Sequence, residues 1–313
     1  MICDIDGQKR NLPDFLIVGA AKSGTTSLHE YLSLHPDVAM PKYKETMFFH
    51  IVTNPNRSQS AYTGTPLIDT FEDYLAQFDS ADQNQICGES CPSYLYFHEH
   101  TIGNIKRFHP RWQDLKIVII LREPVDKIVS HYFFVKNTLS SRNPVLSAET
   151  IEQSLAAEPA RLGDPSVLPD LLYIDNTCYV RQVKAYLDDF AHVNVFLFDD
   201  LRDRPQKLFA DLCEFLGIRA DVDCGVGRRY HVGARHVAPR GVWGRFVGRL
   251  AATSVTKPIR KLMPRKIKDR IWAKAFVRED VSQATRRRLK DKFRDQVKEL
   301  ENMLNLDLSC WGY

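Results

Sequence analysis

The sequence predicts an α/β fold, a parallel β-sheet flanked by helices, with a helical C-terminal extension. Three observations carry that expectation. Short apolar runs alternate with segments of helical periodicity, the order from which parallel sheets with helices on both faces are built. Leu115–Leu121 (LKIVIIL) carries a continuous apolar run after Lys116, as fits a strand buried on both faces. Residues 281–304 place Leu289, Phe293, Val297, Leu300 and Leu304 on one helical stripe among charge pairs.

The elements follow in order. Phe15–Gly19 is the first strand, and a Gly/Ser/Thr turn leads from it into a helix over Ser27–Leu34. Pro36 stops that helix, because a proline biases the residue before it away from helical geometry. Val38–Met40 reads as a short strand, 51–70 as a surface loop, and Phe71–Phe78 as helix. Gln85–Gly88 is a brief strand, Tyr94–Phe108 a helix, and Leu115–Leu121 leads into a helix over Val125–Leu139. Residues 140–172, rich in Ser, Pro and Ala, read as an insertion or lid. Tyr179–Phe190 (helix), Val193–Phe198 (strand) and Pro205–Leu216 (helix) complete the core. At 313 residues the expectation is a single domain, with a core over about 12–220 and a basic helical part over about 228–313.

Composition narrows the class. Hydrophobic residues at 44% and charged residues at 26% are globular values and exclude a disordered chain. No run approaches the roughly 20 apolar residues that span a bilayer. MICDIDGQKRN has no apolar stretch behind a basic start, so a cytoplasmic protein is expected. The seven cysteines are scattered, and Cys87 and Cys91 lack a second pair or a histidine partner. Free, mostly buried thiols are expected, and no metal site.

The net charge of +4 hides an asymmetry. Residues 1–227 carry 21 basic against 31 acidic side chains, whereas 228–274 carry 14 against one, Asp269. Such a block attracts phosphate, sulfate, nucleic acid or an anionic membrane, or forms a solvated helical face. Within 242–276, Trp243, Phe246, Leu250, Ile267 and Trp272 interleave with the basic residues. That pattern fits either peripheral contact with a membrane or an anionic glycan, or a helical cap on the sheet, and the cap is favoured.

Gly19-Ala20-Ala21-Lys22-Ser23-Gly24-Thr25-Thr26-Ser27 lies between a strand and a helix, where backbone N–H groups and a helix N-terminus cradle anionic oxygens. It resembles the phosphate loop of P-loop nucleoside triphosphatases but departs from it. The position after the second glycine, lysine in that motif, is Thr25, and the lysine stands at Lys22. Where a triphosphatase strand ends in an Asp that holds Mg²⁺, Leu115–Leu121 is followed by Arg122, which binds anions. The pair of loops reads as a phosphate site that works without metal.

Lys22–Ser27 resembles the 5′-phosphosulfate loop of sulfotransferases that use 3′-phosphoadenosine 5′-phosphosulfate (PAPS). Ile117–Tyr132, with Arg122 and Ser130 eight apart, is similar to their 3′-phosphate-binding strand and helix. Gly88-Glu89-Ser90-Cys91-Pro92-Ser93-Tyr94 is similar to a Gly-Glu-x-x-Pro-x-Tyr stretch of bacterial and glycan-modifying members. Tyr179–Gly217 and Leu306–Trp311 fit the bacterial branch.

The resemblance implies a P-loop-like sheet and transfer of a sulfuryl group from PAPS to a hydroxyl or amine of a glycan, glycolipid or small molecule, releasing PAP without a metal. Lys22, Ser23, Gly24, Thr25, Thr26 and Ser27 are then the 5′-phosphosulfate contacts, and Arg122 and Ser130 the 3′-phosphate clamp. Lys42-Tyr43-Lys44-Glu45-Thr46-Met47-Phe48-Phe49 is similar to the Glu-x-x-Phe-Phe segment of heparan sulfate sulfotransferases, which makes Glu45 the general base. Against that role stands a surface pair with Lys42 or Lys44, and His50, His98 and His131 are the runners-up. A closing loop of the family corresponds to Gly233–Arg240, with Arg240 the donor contact and Arg235 second. Ser90 stands where several glycan sulfotransferases carry lysine, leaving Lys42, Lys44 or a distant arginine to supply that charge. The competing readings are a metal-dependent P-loop kinase or triphosphatase and, less favoured, a basic nucleic-acid binder. Oligomeric state is not legible.

Overall fold

The computed structural model describes residues 1–53, 66–139, 149–228, 237–239, 276–278 and 281–313. Its centre is a sheet of five parallel strands: β3 (Phe15–Gly19), β4 (Val38–Ala39), β5 (Ile86–Ser90), β6 (Lys116–Leu121) and β7 (His192–Leu197). They lie in the order β4-β5-β3-β6-β7. The chain thus passes from β3 to the edge strand β4, returns to place β5 between them, then crosses β3 to build β6 and β7 on the other side. Ligands bind outside the carboxyl ends of the strands at such a reversal.

Both faces of the sheet are covered. In β3, Leu16 and Val18 face one core and Phe15 and Ile17 the other; in β6, Ile117, Ile119 and Leu121 oppose Val118 and Ile120. This is the strict alternation of a strand with two buried faces, and each of these side chains contributes about 1.5–3 kcal/mol by leaving water. Against the smaller core lie α1 (Thr25–Ser33), with Leu28 and Leu32, and α10 (Pro205–Leu216), with Leu208 and Leu212. Gly88 has no substitute: a Cβ there would sit 1.9 Å from the Phe15 ring, itself fully buried.

The larger core takes α2 (Phe48–Ile51), α3 (Phe71–Leu75), α4 (Ser93–Tyr96), α5 (His98–Phe108), α6 (Pro124–Leu139), α7 (Ile151–Arg161) and α8 (Tyr179–Asp189). After β7 comes the short α9 (Phe198–Asp203), which precedes α10. The last helix, α11 (Gln283–Leu304), packs on α6 and α8 through Leu289, Phe293, Val297 and Leu300, with Leu304 at the margin. All seven cysteines are free, and five of them are buried. Among the described residues, no helix is long and apolar enough to cross a membrane.

Several elements depart from expectation. Tyr94–Phe108 is two helices, broken where Phe97 leaves helical geometry (φ −89°, ψ 35°). Phe198 begins α9 instead of ending β7. Residues 140–172 contain α7, closed by a capping box of Thr150 and Gln153; Pro159 inside it masked the helix. An antiparallel hairpin, β1 (Ile2–Ile5) with β2 (Gln8–Asn11), precedes the sheet. Its turn is Asp6-Gly7, both left-handed, a strong short-range hairpin signal that went unread. Between residues 229 and 280 only β8 (Val237–Pro239) and β9 (Phe276–Arg278) are described, as an antiparallel pair. The expectations for 51–70, 140–148 and 242–276 otherwise fall largely or wholly outside the described residues.

Candidate functional site

The site forms at the carboxyl ends of the adjacent strands β3 and β6. The loop after β3 turns through two left-handed residues, Lys22 (φ 68°) and Gly24 (φ 98°). Gly24 is required twice over: a Cβ would stand 2.5 Å from Leu201 Cδ2, and the backbone conformation favours glycine. Lys22 has no such freedom, and a non-glycine residue held there stores about 1–3 kcal/mol. No side chain caps α1 and no carboxylate occupies its first turn. The N–H groups at Thr25 and Thr26 therefore point out of the helix toward whatever anion the loop receives. Ser23 and Thr25 are buried, and Thr26 and Ser27 half-buried.

Arg122 stands beside this loop. Its guanidinium donates to the Lys22 carbonyl (3.2 Å) and lies over the Phe198 ring at 4.7 Å, and its buried Nε has no partner among the described residues. The Tyr179 hydroxyl donates to the Arg122 carbonyl (3.0 Å), which fixes the strand end. Ser130 is half-buried in the second turn of α6, eight residues on from Arg122. The Lys22 ammonium lies 4.2 Å from the centre of the Phe134 ring, one turn beyond Ser130. Burial lowers the Lys22 pKa, the nearby Arg122 charge lowers it further, and Glu45 pulls the other way.

Glu45 lies in this field but not alone. Lys44 donates both to its carboxylate and to Thr26 Oγ1 (3.2 Å), so the expected ion pair exists and sits against the loop. Lys42 instead lies over the Tyr43 ring, away from this contact. Ser90 is fully buried at the end of β5, and its hydroxyl makes no hydrogen bond among the described residues. Lys44 therefore places a second cation at the loop in a chain that has Ser90 in the lysine position. Arg240 and Arg235 lie outside the described residues.

What holds Glu45 is a carboxylate that motif reading passed over. Glu45 (φ 60°) and Met47 (φ 59°) are both left-handed, and Thr46 between them donates its hydroxyl to Glu89. Glu89 is fully buried and also accepts from Tyr74 (2.8 Å) and Tyr94 (3.0 Å). Burial raises its pKa, and the three hydroxyl donors oppose the rise. Phe48, stacked on Tyr74 at 4.5 Å, and Phe49, edge-on to Tyr74, pin the other side of the turn. The Gly-Glu motif was the available signal, with its glutamate preceding Ser90.

Of the candidate histidines, His50 stacks on Phe97 at 4.6 Å, and burial drives its pKa down to about 3. His98 contacts the Tyr96 carbonyl. His131 is buried on α6 near Lys22, with Nε2 3.5 Å from the Asp170 carboxylate, and burial lowers its pKa. Among the described residues, no group of three or more His, Cys, Asp or Glu is arranged to hold a metal.

A glycine-turned loop, an uncapped helix N-terminus, a half-buried lysine and a strand-end arginine thus meet at the carboxyl ends of β3 and β6. The chain belongs to the sulfotransferase domain family, which matches residues 12–226. It superposes on a sulfotransferase from Alicyclobacillus acidocaldarius with a TM-score of 0.68 and 28% identity, covering 96% of this chain and 99% of that one. It is 27% identical over 219 residues to the bovine bifunctional heparan sulfate N-deacetylase/N-sulfotransferase 2, covering 66% of this chain and 22% of the relative. It is 28% identical over 130 residues to the membrane-associated sulfotransferase kil1 of Dictyostelium discoideum, 42% of this chain and 24% of the relative. The chain thus spans about a quarter of the length of these curated relatives.

Proposed function

We propose that this sulfotransferase moves a sulfuryl group from PAPS to a hydroxyl or amine of a carbohydrate, glycolipid or small-molecule acceptor, releasing PAP. The observation that carries the reading is the pairing of Lys22 and the uncapped α1 N-terminus with Arg122, two anion-binding elements on adjacent strand ends. A donor with phosphate at both ends of its nucleoside uses both. The heparan sulfate relative supports a glycan acceptor.

Sulfuryl transfer is an in-line displacement whose charge spreads over equatorial oxygens, so catalysis is positioning and electrostatics. Lys22 meets the charge that develops on the leaving 5′-phosphate, and the loop from Ser23 to Ser27 supplies N–H and hydroxyl donors. Arg122 and Ser130 hold the 3′-phosphate, with Arg240 as a further contact. Glu45 takes the acceptor's proton, and Lys44 orients its carboxylate against Thr26.

The test is transfer of ³⁵S from labelled PAPS, in EDTA, to N-deacetylated heparosan (amine), chondroitin (hydroxyl) and p-nitrophenol. Label should appear on at least one acceptor and be lost in Lys22→Ala and Glu45→Gln. Phosphoryl transfer from ATP with Mg²⁺, and none of sulfuryl, would establish the kinase reading in its place.

A further inference from the structure

Three carboxylates lie close to Arg122 in the chain or next to the ring it stacks against, and one of them, Asp126, comes within reach of the guanidinium. Glu123 is its neighbour in the chain. Asp126 is one helical turn on, its Oδ2 3.9 Å from Arg122 Nη2, and Asp199 follows the Phe198 ring on which Arg122 lies. Asp126 is also one turn before Ser130 on α6, on the same side of that helix. A carboxylate there repels a phosphate and competes with it for the guanidinium.

The C-terminal part of the chain engages all three. Arg286, in the first turns of α11, donates from Nη1 to Asp126 Oδ1 (2.9 Å). Trp311 Nε1 donates to Asp199 Oδ2 (3.0 Å), and the Tyr313 hydroxyl to Glu123 Oε1 (2.6 Å). Asp199 is also paired with Arg202 (2.9 Å), and the other Glu123 oxygen caps the Asp126 N–H (2.6 Å). Arg286 is a full charge among the three C-terminal donors, and among the described residues it holds the carboxylate that reaches Arg122.

We propose that Arg286 is a positioning residue for the nucleotide's 3′-phosphate: it holds the Asp126 carboxylate off Arg122, so that the guanidinium is available to the ligand. Asp126 is then an internal competitor that Arg286 silences, and the C-terminal helix sets donor affinity without touching the donor. The inference rests on the proposed role of Arg122 and Ser130.

The experiment titrates PAP and 5′-AMP, which lacks the 3′-phosphate, into the full-length protein by calorimetry at fixed low salt. Wild type is compared with Arg286→Ala, Asp126→Asn and the double variant, each first shown to fold by its melting curve. Arg286 is partly exposed and its ion pair lies near the surface, so these variants are expected to fold. Arg286→Ala should weaken PAP by roughly three- to ten-fold and leave 5′-AMP unchanged. Asp126→Asn should bind PAP at least as tightly as wild type, and in that background Arg286→Ala should cost nothing. Equal weakening by Arg286→Ala with and without Asp126 overturns the proposal, because Arg286 then acts on the phosphate directly. Unchanged PAP affinity in Arg286→Ala also overturns it. A wild type that binds PAP no better than 5′-AMP removes the 3′-phosphate reading itself, an outcome visible before any variant is made.

Discussion

Replacing Thr46 by valine removes one hydroxyl and keeps the β-branched shape. In the native turn that hydroxyl is one of two donors to Glu89 Oε1, Tyr94 being the other, while Tyr74 serves Oε2. A buried carboxylate that loses one of three charge-assisted donors costs about 1.5–3 kcal/mol. For a chain of this size that lowers the melting temperature by about 2–5 °C. The functional consequence is separate. Thr46 sits between the two left-handed residues Glu45 and Met47, and conformations of that kind persist only where their surroundings over-determine them. With the anchor gone the turn relaxes and Glu45 shifts, which should lower kcat roughly ten- to hundred-fold. PAP affinity should stay unchanged, since the loop from Lys22 to Ser27 is untouched. Thr46→Ser keeps the hydroxyl and should restore both properties. Calorimetric melting, PAP titration and ³⁵S transfer read the three quantities independently. Thr46→Val with wild-type melting and wild-type kcat would refute the reasoning that Glu89 holds the turn.

Other consequences are as direct. Lys22→Ala should cost about 10²–10³ in kcat, the usual loss for one donor to developing charge. Lys22 acts as the protonated amine, and burial and Arg122 both lower its pKa in the free protein, so kcat/KM should fall on the alkaline side at a pH below the ordinary lysine value. Lys22→Arg should move that limb out of the accessible range, and an unmoved limb assigns the titration to another group. Lys127 of α6 is fully buried, bonded to the carbonyl and side-chain oxygen of Asn176, and burial brings its pKa down to about 7. The unfolded chain then binds one proton more between that pH and about 10.4. Stability should rise with pH over this window by up to about 1.4 kcal/mol per pH unit, and this component of the slope should vanish in Lys127→Met.

Much of this architecture is legible in sequence, for identifiable reasons. Phe15–Gly19 and Leu115–Leu121 are buried on both faces, and apart from Lys116 they have no polar position to confuse the pattern. The loop at Gly19–Ser27 is read from local chemistry, because Gly24 and the strand before it constrain the backbone. Glu89 was not read as part of the site, since its role depends on Thr46 and Tyr74, far away in sequence and joined only by folding. The Lys44–Glu45 pair was foreseen as a surface alternative. Its contact with Thr26 shows that an ion pair and a place at the site are compatible. The convergence of Arg286, Trp311 and Tyr313 on the Arg122 strand end carries no local signal, because each partner lies more than 100 residues away.

The central claim is that two loops on adjacent strands hold one nucleotide by both of its anionic ends. The measurement that tests it most directly is thermal stabilisation by PAP in EDTA, set against ATP with Mg²⁺, for wild type and Arg122→Ala. A ligand at about 100 times its Kd adds about 2.7 kcal/mol of stability, a readily measured shift. The account predicts stabilisation by PAP alone, lost in Arg122→Ala. Stabilisation by ATP with Mg²⁺ and none by PAP would contradict it.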